Sequence, residues 1–264
     1  GGQWIAEGAM WVEPDANLAG GEALIRQFLY GKRYFREKLG VDSQIAWLPD
    51  SFGYSGAIPQ VIKGCGVKGL TTQKIFWSYN EAEPFPYHAF NWKGLDGTQV
   101  PCYLHMWYES PVDAKTLHRL WNLRLCKDGE SDFFVPFGYG DGGGGPTRDD
   151  LEQIRRQQDL QGTPKMHYVH PVELFENRDE KSMPVYRGEL YFPCHRGTYT
   201  VQAAVKKGNR LSENAMRAYE LWSAAAAWEN GAAYPYDNIE SHWKNTLLNQ
   251  FHDILPGSTI KRVN

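Results

Sequence analysis

Apolar residues at Leu24, Ile25, Phe28, Leu29, Phe35 and Leu39 recur at helical spacing, while Arg26, Lys32, Arg33 and Arg36 fall elsewhere on the turn. This pattern predicts a helix from about Gly21 to Leu39 that Gly40 stops. A short strand is expected around Gln3 to Ala6, followed by Trp11-Val12-Glu13-Pro14-Asp15. Ile45-Ala46-Trp47-Leu48 reads as a buried strand. Ile58, Val61, Ile62 and Cys65 line one side of a short helix ended by Gly66, and Gly69 to Ile75 reads as another strand. Strands alternating with helices predict a parallel sheet with helices packed outside it, an α/β arrangement.

Residues 88 to 105 interrupt the alternation. Phe90-Asn91-Trp92 and Val100-Pro101-Cys102-Tyr103 flank Asp96-Gly97, a hairpin-turn signal, and the hairpin is expected as an excursion from the sheet. The pattern then predicts a helix near Ala114 to Cys126, a strand Phe133 to Phe137, a glycine-rich loop, a helix Arg148 to Gln158 and a strand Met166 to Val169. Past about Ser182 strands nearly vanish. Helical patterns run from Leu211 to Glu229, through an alanine-rich middle, and from Ile239 to Phe251. The expected division is residues 1–182 and a helical part, residues 183–264.

The 264 residues suffice for one large domain with a smaller partner, and the net charge of -3 comes without any long block of like charge. Neither nucleic acid nor a membrane surface is an expected partner. With 10 Trp and 15 Tyr the chain is rich in rings that stack on sugar faces and donate at their edges. Cys65, Cys102, Cys126 and Cys194 form no CxxC pair, which argues against a thiolate zinc site or a disulfide framework and for a reducing, cytoplasmic setting. Gly1-Gly2-Gln3-Trp4 resembles neither a signal peptide nor a start with Met, so the chain is expected to be part of something longer.

Three stretches concentrate chemistry. Asp50 lies just after the Ile45 to Leu48 strand, on the turn begun by Pro49, where α/β enzymes keep reactive groups. A cap for the helix near Ala57 is the other reading of this acid. Phe137-Gly138-Tyr139-Gly140-Asp141-Gly142-Gly143-Gly144-Gly145-Pro146 again follows an apolar run. It reads as a flexible turn, as a phosphate loop lacking the Walker lysine, or as the carrier of an acid, Asp141, at the same rim as Asp50. Asn249 to Ser258 ends the last helix with His252 and Asp253, either a dipole-stabilised cap or an imidazole and carboxylate presented together. Imidazole and carboxylate suit a zinc-like ion, but Asp50 and His252 supply only two ligands. Two carboxylates at one rim are what glycoside hydrolysis needs.

Together these stretches resemble glycoside hydrolase family 38, the α-mannosidases, closest to its cytosolic and bacterial branch. Trp47 to Ser55 is similar to the family's nucleophile segment, Phe137 to Thr147 to its acid loop and Asn249 to Ser258 to its late histidine motif. Gly188 to Tyr191, His195 to Thr200 and Lys206 to Arg210 resemble that branch's approach to its helical middle domain. The resemblance implies a metal-dependent retaining enzyme acting on α-linked mannose. Its fold would be a partial irregular parallel β/α barrel of the seven-stranded type, first strand missing, followed by a helical bundle. Asp50 would be nucleophile and metal ligand, His252 a second ligand to zinc or cobalt, and Asp141 the acid/base. Relatives in other branches carry a second acid where this chain has Gly142. Asp253, Lys74 and Trp11 would bind substrate. The family's remaining ligands come from a His-x-Asp motif expected upstream of Gly1, and that triplet does not occur in the chain. Alone, the chain is then expected to bind metal poorly and hydrolyse little. Its partners would be an α-mannosyl glycan, the rest of a parent polypeptide and, as an open case, a second copy of itself. A metal-dependent carbohydrate deacetylase and a sugar-binding or scaffold module are the rival readings.

Overall fold

The computed structural model describes residues 4–77, 85–125, 132–176, 178 and 181–263. Its helices and strands are α1 (Gly21–Tyr34), β1 (Ile45–Leu48), α2 (Ile58–Gly64), β2 (Gly69–Thr72), β3 (Ala89–Lys93), β4 (Gln99–Leu104), α3 (Ala114–Leu123), α4 (Arg148–Gln157), α5 (Glu173–Glu176), β5 (Val185–Arg187), α6 (Ala203–Asn230) and α7 (Tyr236–Leu248). The chain leaves α1 through a π-helical turn, Phe35–Leu39, and Gly40 in the left-handed region at φ 68° ends it. Asp113 caps α3 by accepting from the Thr116 amide, and Thr147 with Asp150 closes a capping box on α4.

The five strands form one mixed sheet in the order β1-β2-β4-β3-β5. Here the structure corrects the expected excursion, because the hairpin lies inside the sheet. β4 runs parallel to β2, and β3 returns antiparallel before β5 adds parallel to β3. The pattern of residues 89–104 announces a hairpin but not its neighbours. Ala46, Leu48, Leu70, Phe90, Trp92, Cys102 and Leu104, all buried, join one core with Phe28 of α1 and Ile58 and Ile62 of α2.

Three expected strands take other forms. Gln3 lies outside the described residues, and residues 4–6 form no strand. The Glu7 carboxylate instead accepts from Ser43 Oγ (2.7 Å) and the Gln44 and Ile45 amides (2.9 and 3.1 Å), so a side chain takes donors at the start of β1. Residues 133–137 form no ladder; they are tied by the Phe134 amide to the Tyr103 hydroxyl (3.0 Å) and by one bridge from Phe137 to Ser110. Residues 166–169 likewise form no strand; the Met166 amide donates to the Gln158 carbonyl at 3.1 Å. The strand expected to reach Ile75 stops at Thr72, where Lys74–Phe76 coil into a 3-10 turn. Cys126, the expected end of α3, lies outside the described residues.

β5 lies beyond residue 182 and still belongs to the sheet. After it, α6 and α7 pack on α1 through Ala23, Tyr30, Met216, Ile239, Trp243 and Leu247. No described helix is long and apolar enough to cross a membrane.

Candidate active site

β1, β2 and β4 are parallel neighbours, and their last residues lie side by side: Leu48 pairs with Thr72, and Thr72 with Leu104. Whatever follows each strand therefore meets at one edge of the sheet. Asp50 follows β1, Lys74 follows β2, and His105 and Tyr108 follow β4. The Leu48 carbonyl, left over where the ladder ends, accepts from the hydroxyls of Thr72 (2.6 Å) and Tyr54 (2.9 Å), which fixes the level of the turn.

Asp50 does not cap α2, whose N-cap is Ala57 without a side-chain bond. Its Oδ1 lies 2.9 Å from Lys74 Nζ. That ammonium also donates to the Tyr108 hydroxyl (3.2 Å) and stands 3.6 Å from the centre of the Trp77 ring. Burial works to lower the Lys74 pKa, but the hydrogen bonds to and charges of Asp50 and Tyr108 together outweigh it and raise the pKa, so the amine is held charged.

On its other side Asp50 meets Glu13, a residue that carried no role in the sequence reading. Glu13 Oε1 accepts from the backbone amides of Asp50 and Ser51, the latter at 2.9 Å. The Glu13 main-chain carbonyl accepts from His252, both from its amide (3.1 Å) and from Nδ1 (3.0 Å). Burial pushes the Glu13 carboxyl up to about 8, with the neighbouring Asp50 charge adding to the rise and the Asp50 and Ser51 amides opposing it. The signal that could have found it is an acid in an aromatic and apolar run, Trp11-Val12-Glu13-Pro14.

Glu13, Asp50 and His252 each offer one donor atom, and these lie within 4.8 Å of one another. Two adjoining carboxylates with an imidazole form an N/O donor set that fits a divalent cation. Asp253 is next to His252, its Oδ2 3.9 Å from Nε2, and is more than half exposed. Trp11 is not brought to this site. Its ring packs edge-on against Tyr34, with Lys244 Nζ 5.0 Å from its centre, and flanks the cluster between α1 and α7.

Asp141 sits exposed at the tip of the glycine loop with φ 47°, a left-handed backbone unusual for a residue with a Cβ. The loop is a small hairpin. Tyr139 and Gly145 exchange backbone bonds of 2.9 and 2.8 Å, and Glu109 Oε1 accepts from the Gly140 amide at 2.7 Å. Asp141 and Asp50 line one cavity of ≈ 1050 Å³, walled by Trp47, Tyr108, Phe134 and Tyr168. Near it, His195 is half-buried between the rings of Phe52 (4.8 Å) and Phe192 (4.9 Å).

Asp50, just past the end of β1, and Asp141, on the glycine loop, thus open on one aromatic-walled cavity, a pair of acids such as glycoside hydrolysis uses. The model for the glycosyl hydrolases family 38 N-terminal domain matches residues 1–189, and that for the alpha mannosidase middle domain matches residues 193–264. The chain belongs to glycosyl hydrolases family 38. It is 38% identical over 269 residues to alpha-mannosidase 2C1 of Mus musculus, covering 99% of this chain and 26% of that protein. With alpha-mannosidase G of Dictyostelium discoideum it shares 40% identity over 265 residues, 98% of this chain and 24% of the relative. The crystal structure of an alpha-mannosidase from Enterococcus faecalis V583 superposes with a TM-score of 0.77 at 20% identity, covering 97% of this chain and 31% of that one, a likeness of fold. The chain thus spans about a quarter of the length of these curated relatives.

Proposed function

We propose that this chain supplies the core of a metal-dependent retaining α-mannosidase. The observation that carries the reading is Asp50, placed at the end of β1 against Lys74, within the Glu13 and His252 donor set and on the cavity that Asp141 also lines. In this reading the Asp50 carboxylate attacks the anomeric carbon of an α-mannoside, and the departing oxygen takes a proton from Asp141. Asp141 then removes a proton from the water that cleaves the mannosyl ester of Asp50, returning both acids to their starting states. Lys74 orients Asp50 and, with Asp253, contacts the sugar hydroxyls. Asp50 and His252 would hold the cation, zinc by its donor types or cobalt, which when bound supplies a positive centre for vicinal sugar hydroxyls.

We take the catalytic part to be the sheet with its surrounding helices, residues 1–182 together with β5, completed as a partial β/α barrel. The rest, to residue 264, forms a helical bundle domain. The described cysteines Cys65, Cys102 and Cys194 are free, which supports a reducing, cytoplasmic setting.

Aryl α-mannoside turnover by the full-length protein tests this directly. Asp50→Asn should lower it by on the order of 10³-fold or more, as loss of a covalent nucleophile does. Normal turnover by that variant would sink the proposal. Release of acetate in place of mannose would point to a deacetylase, and mannose affinity that survives chelation to a binding module.

A further inference from the structure

We infer that Glu13 is a positioning residue, which holds the Asp50 turn and the His252 loop in register. The assignment rests on the proposed function above. The two stretches lie about two hundred residues apart in sequence, and residues 13–15 run between them. On one side, Glu13 Oε1 takes the Asp50 and Ser51 amides, and Ser51 Oγ donates to the Pro14 carbonyl at 2.7 Å. On the other, the Glu13 carbonyl takes the His252 amide and Nδ1, Pro14 bridges Phe251, and the Asp15 amide donates to the Gln250 carbonyl at 2.8 Å.

This geometry acts on both proposed ligands. A carboxylate accepting from two successive amides fixes the backbone from which the Asp50 side chain departs. An Nδ1–H that donates to a carbonyl leaves the His252 lone pair on Nε2, so the bond selects the nitrogen that can ligate. The role belongs to one acceptor oxygen at a particular reach. It asks neither for negative charge nor for ligation by Glu13 itself, and that separates it from the metal-donor reading of the same side chain.

Three substitutions in the full-length protein divide the possibilities. Glu13→Gln keeps an acceptor oxygen at the same reach and removes the ionisable group. Glu13→Asp keeps the ionisable group and withdraws the oxygen by one methylene, and Glu13→Ala removes both. Zn²⁺ affinity by calorimetry should fall roughly 10–100-fold in the Asp and Ala variants, the usual effect of losing a group that orients a metal ligand, and Gln should recover most of that loss. Hydrogen–deuterium exchange of the peptide from Trp47 to Tyr54 should quicken in Ala and Asp and stay protected in Gln. A Gln variant as weak in Zn²⁺ as Ala would overturn the assignment in favour of ligation or charge. Wild-type affinity and protection in Ala would overturn it outright. Should the wild-type protein bind no Zn²⁺ and cleave no mannoside, the functional reading fails, while the exchange pattern still decides whether Glu13 holds the turn.

Discussion

His105 shows how one side chain writes the site's environment into stability. It follows β4, its Nδ1–H donates to the Trp107 carbonyl at 3.0 Å, and its Nε2 meets no partner among the described residues. Burial pushes this imidazole down to about 4 from 6.5, against the opposing pull of the Trp107 carbonyl and of Asp50. The unfolded chain therefore takes up a proton near pH 6.5 that the folded chain refuses until about pH 4. Stability is full above pH 6.5 and drains away as the pH falls through that window, by up to about 3 kcal/mol for this group. His105→Gln cannot titrate, so its thermal midpoint should fall less than that of the wild type between pH 6.5 and 4; parallel curves would refute the assignment. Asp50 was legible because it follows an apolar run that must end at the sheet's rim, whereas Lys74 came only from the family resemblance, the strand before it being expected to run on to Ile75. Glu13 was only half legible: an acid in the apolar run Trp11-Val12-Glu13-Pro14 marks it out, but its role depends on residues 250–252 arriving beside it, a contact no local spacing encodes. Trp11, named from the resemblance, packs its ring against Tyr34 beside the cluster between α1 and α7.

Elements were read well where one local rule decides them. Asp96-Gly97 sets the β3–β4 turn through Gly97 at φ 88° and Asp96 Oδ1 accepting from the Thr98 amide at 2.9 Å. Gly40, Gly66 and Gly231 all take the left-handed conformation that ends a helix. What pattern could not give was the place of the hairpin within the sheet, or the fate of residues 133–137, whose apolar side chains wall a cavity where a ladder was expected. Gly31 carries a prediction that helix propensity alone gets wrong. Replacing a mid-helix glycine by alanine ordinarily stabilises by about 0.5–1 kcal/mol. In α1, however, a Cβ at Gly31 would overlap the main chain of Ala9 and Met10 and lie 2.6 Å from the Trp11 nitrogen. Backbone cannot swing aside as a side-chain tip can. Gly31→Ala should thus destabilise by about 1–3 kcal/mol in chemical denaturation, and a gain in stability would contradict the close approach of residues 9–11 to α1.

Across the whole molecule, α1 is the part on which both the sheet and the later helices depend. Its Phe28 enters the core of the sheet, while Ala23 and Tyr30 pack with Met216, Ile239, Trp243 and Leu247. Polar bonds follow the same seam. Gln27 Nε2 donates to the Leu247 carbonyl at 3.0 Å, and the Arg26 guanidinium pairs with Glu220 at 2.8 Å and stands 4.3 Å from the centre of the Trp243 ring. The buried Glu213 carboxylate accepts from the Gly20 amide and Gln250 Nε2, at 2.8 and 2.9 Å. This seam sets where α7 ends, and the turn after α7 carries His252 to Asp50. Donor geometry at the proposed metal site should consequently depend on a ring that touches none of the donors. Trp243→Ala is expected to cost about 3–5 kcal/mol, as large core truncations do, and to weaken Zn²⁺ binding measured well below the unfolding temperature. Leu120→Ala, a cavity made in α3 away from the seam, should cost about 2–5 kcal/mol yet leave Zn²⁺ affinity near that of the wild type. Equal losses of affinity in the two variants would show that the site responds to global stability, and that α7 holds no particular control over where His252 stands.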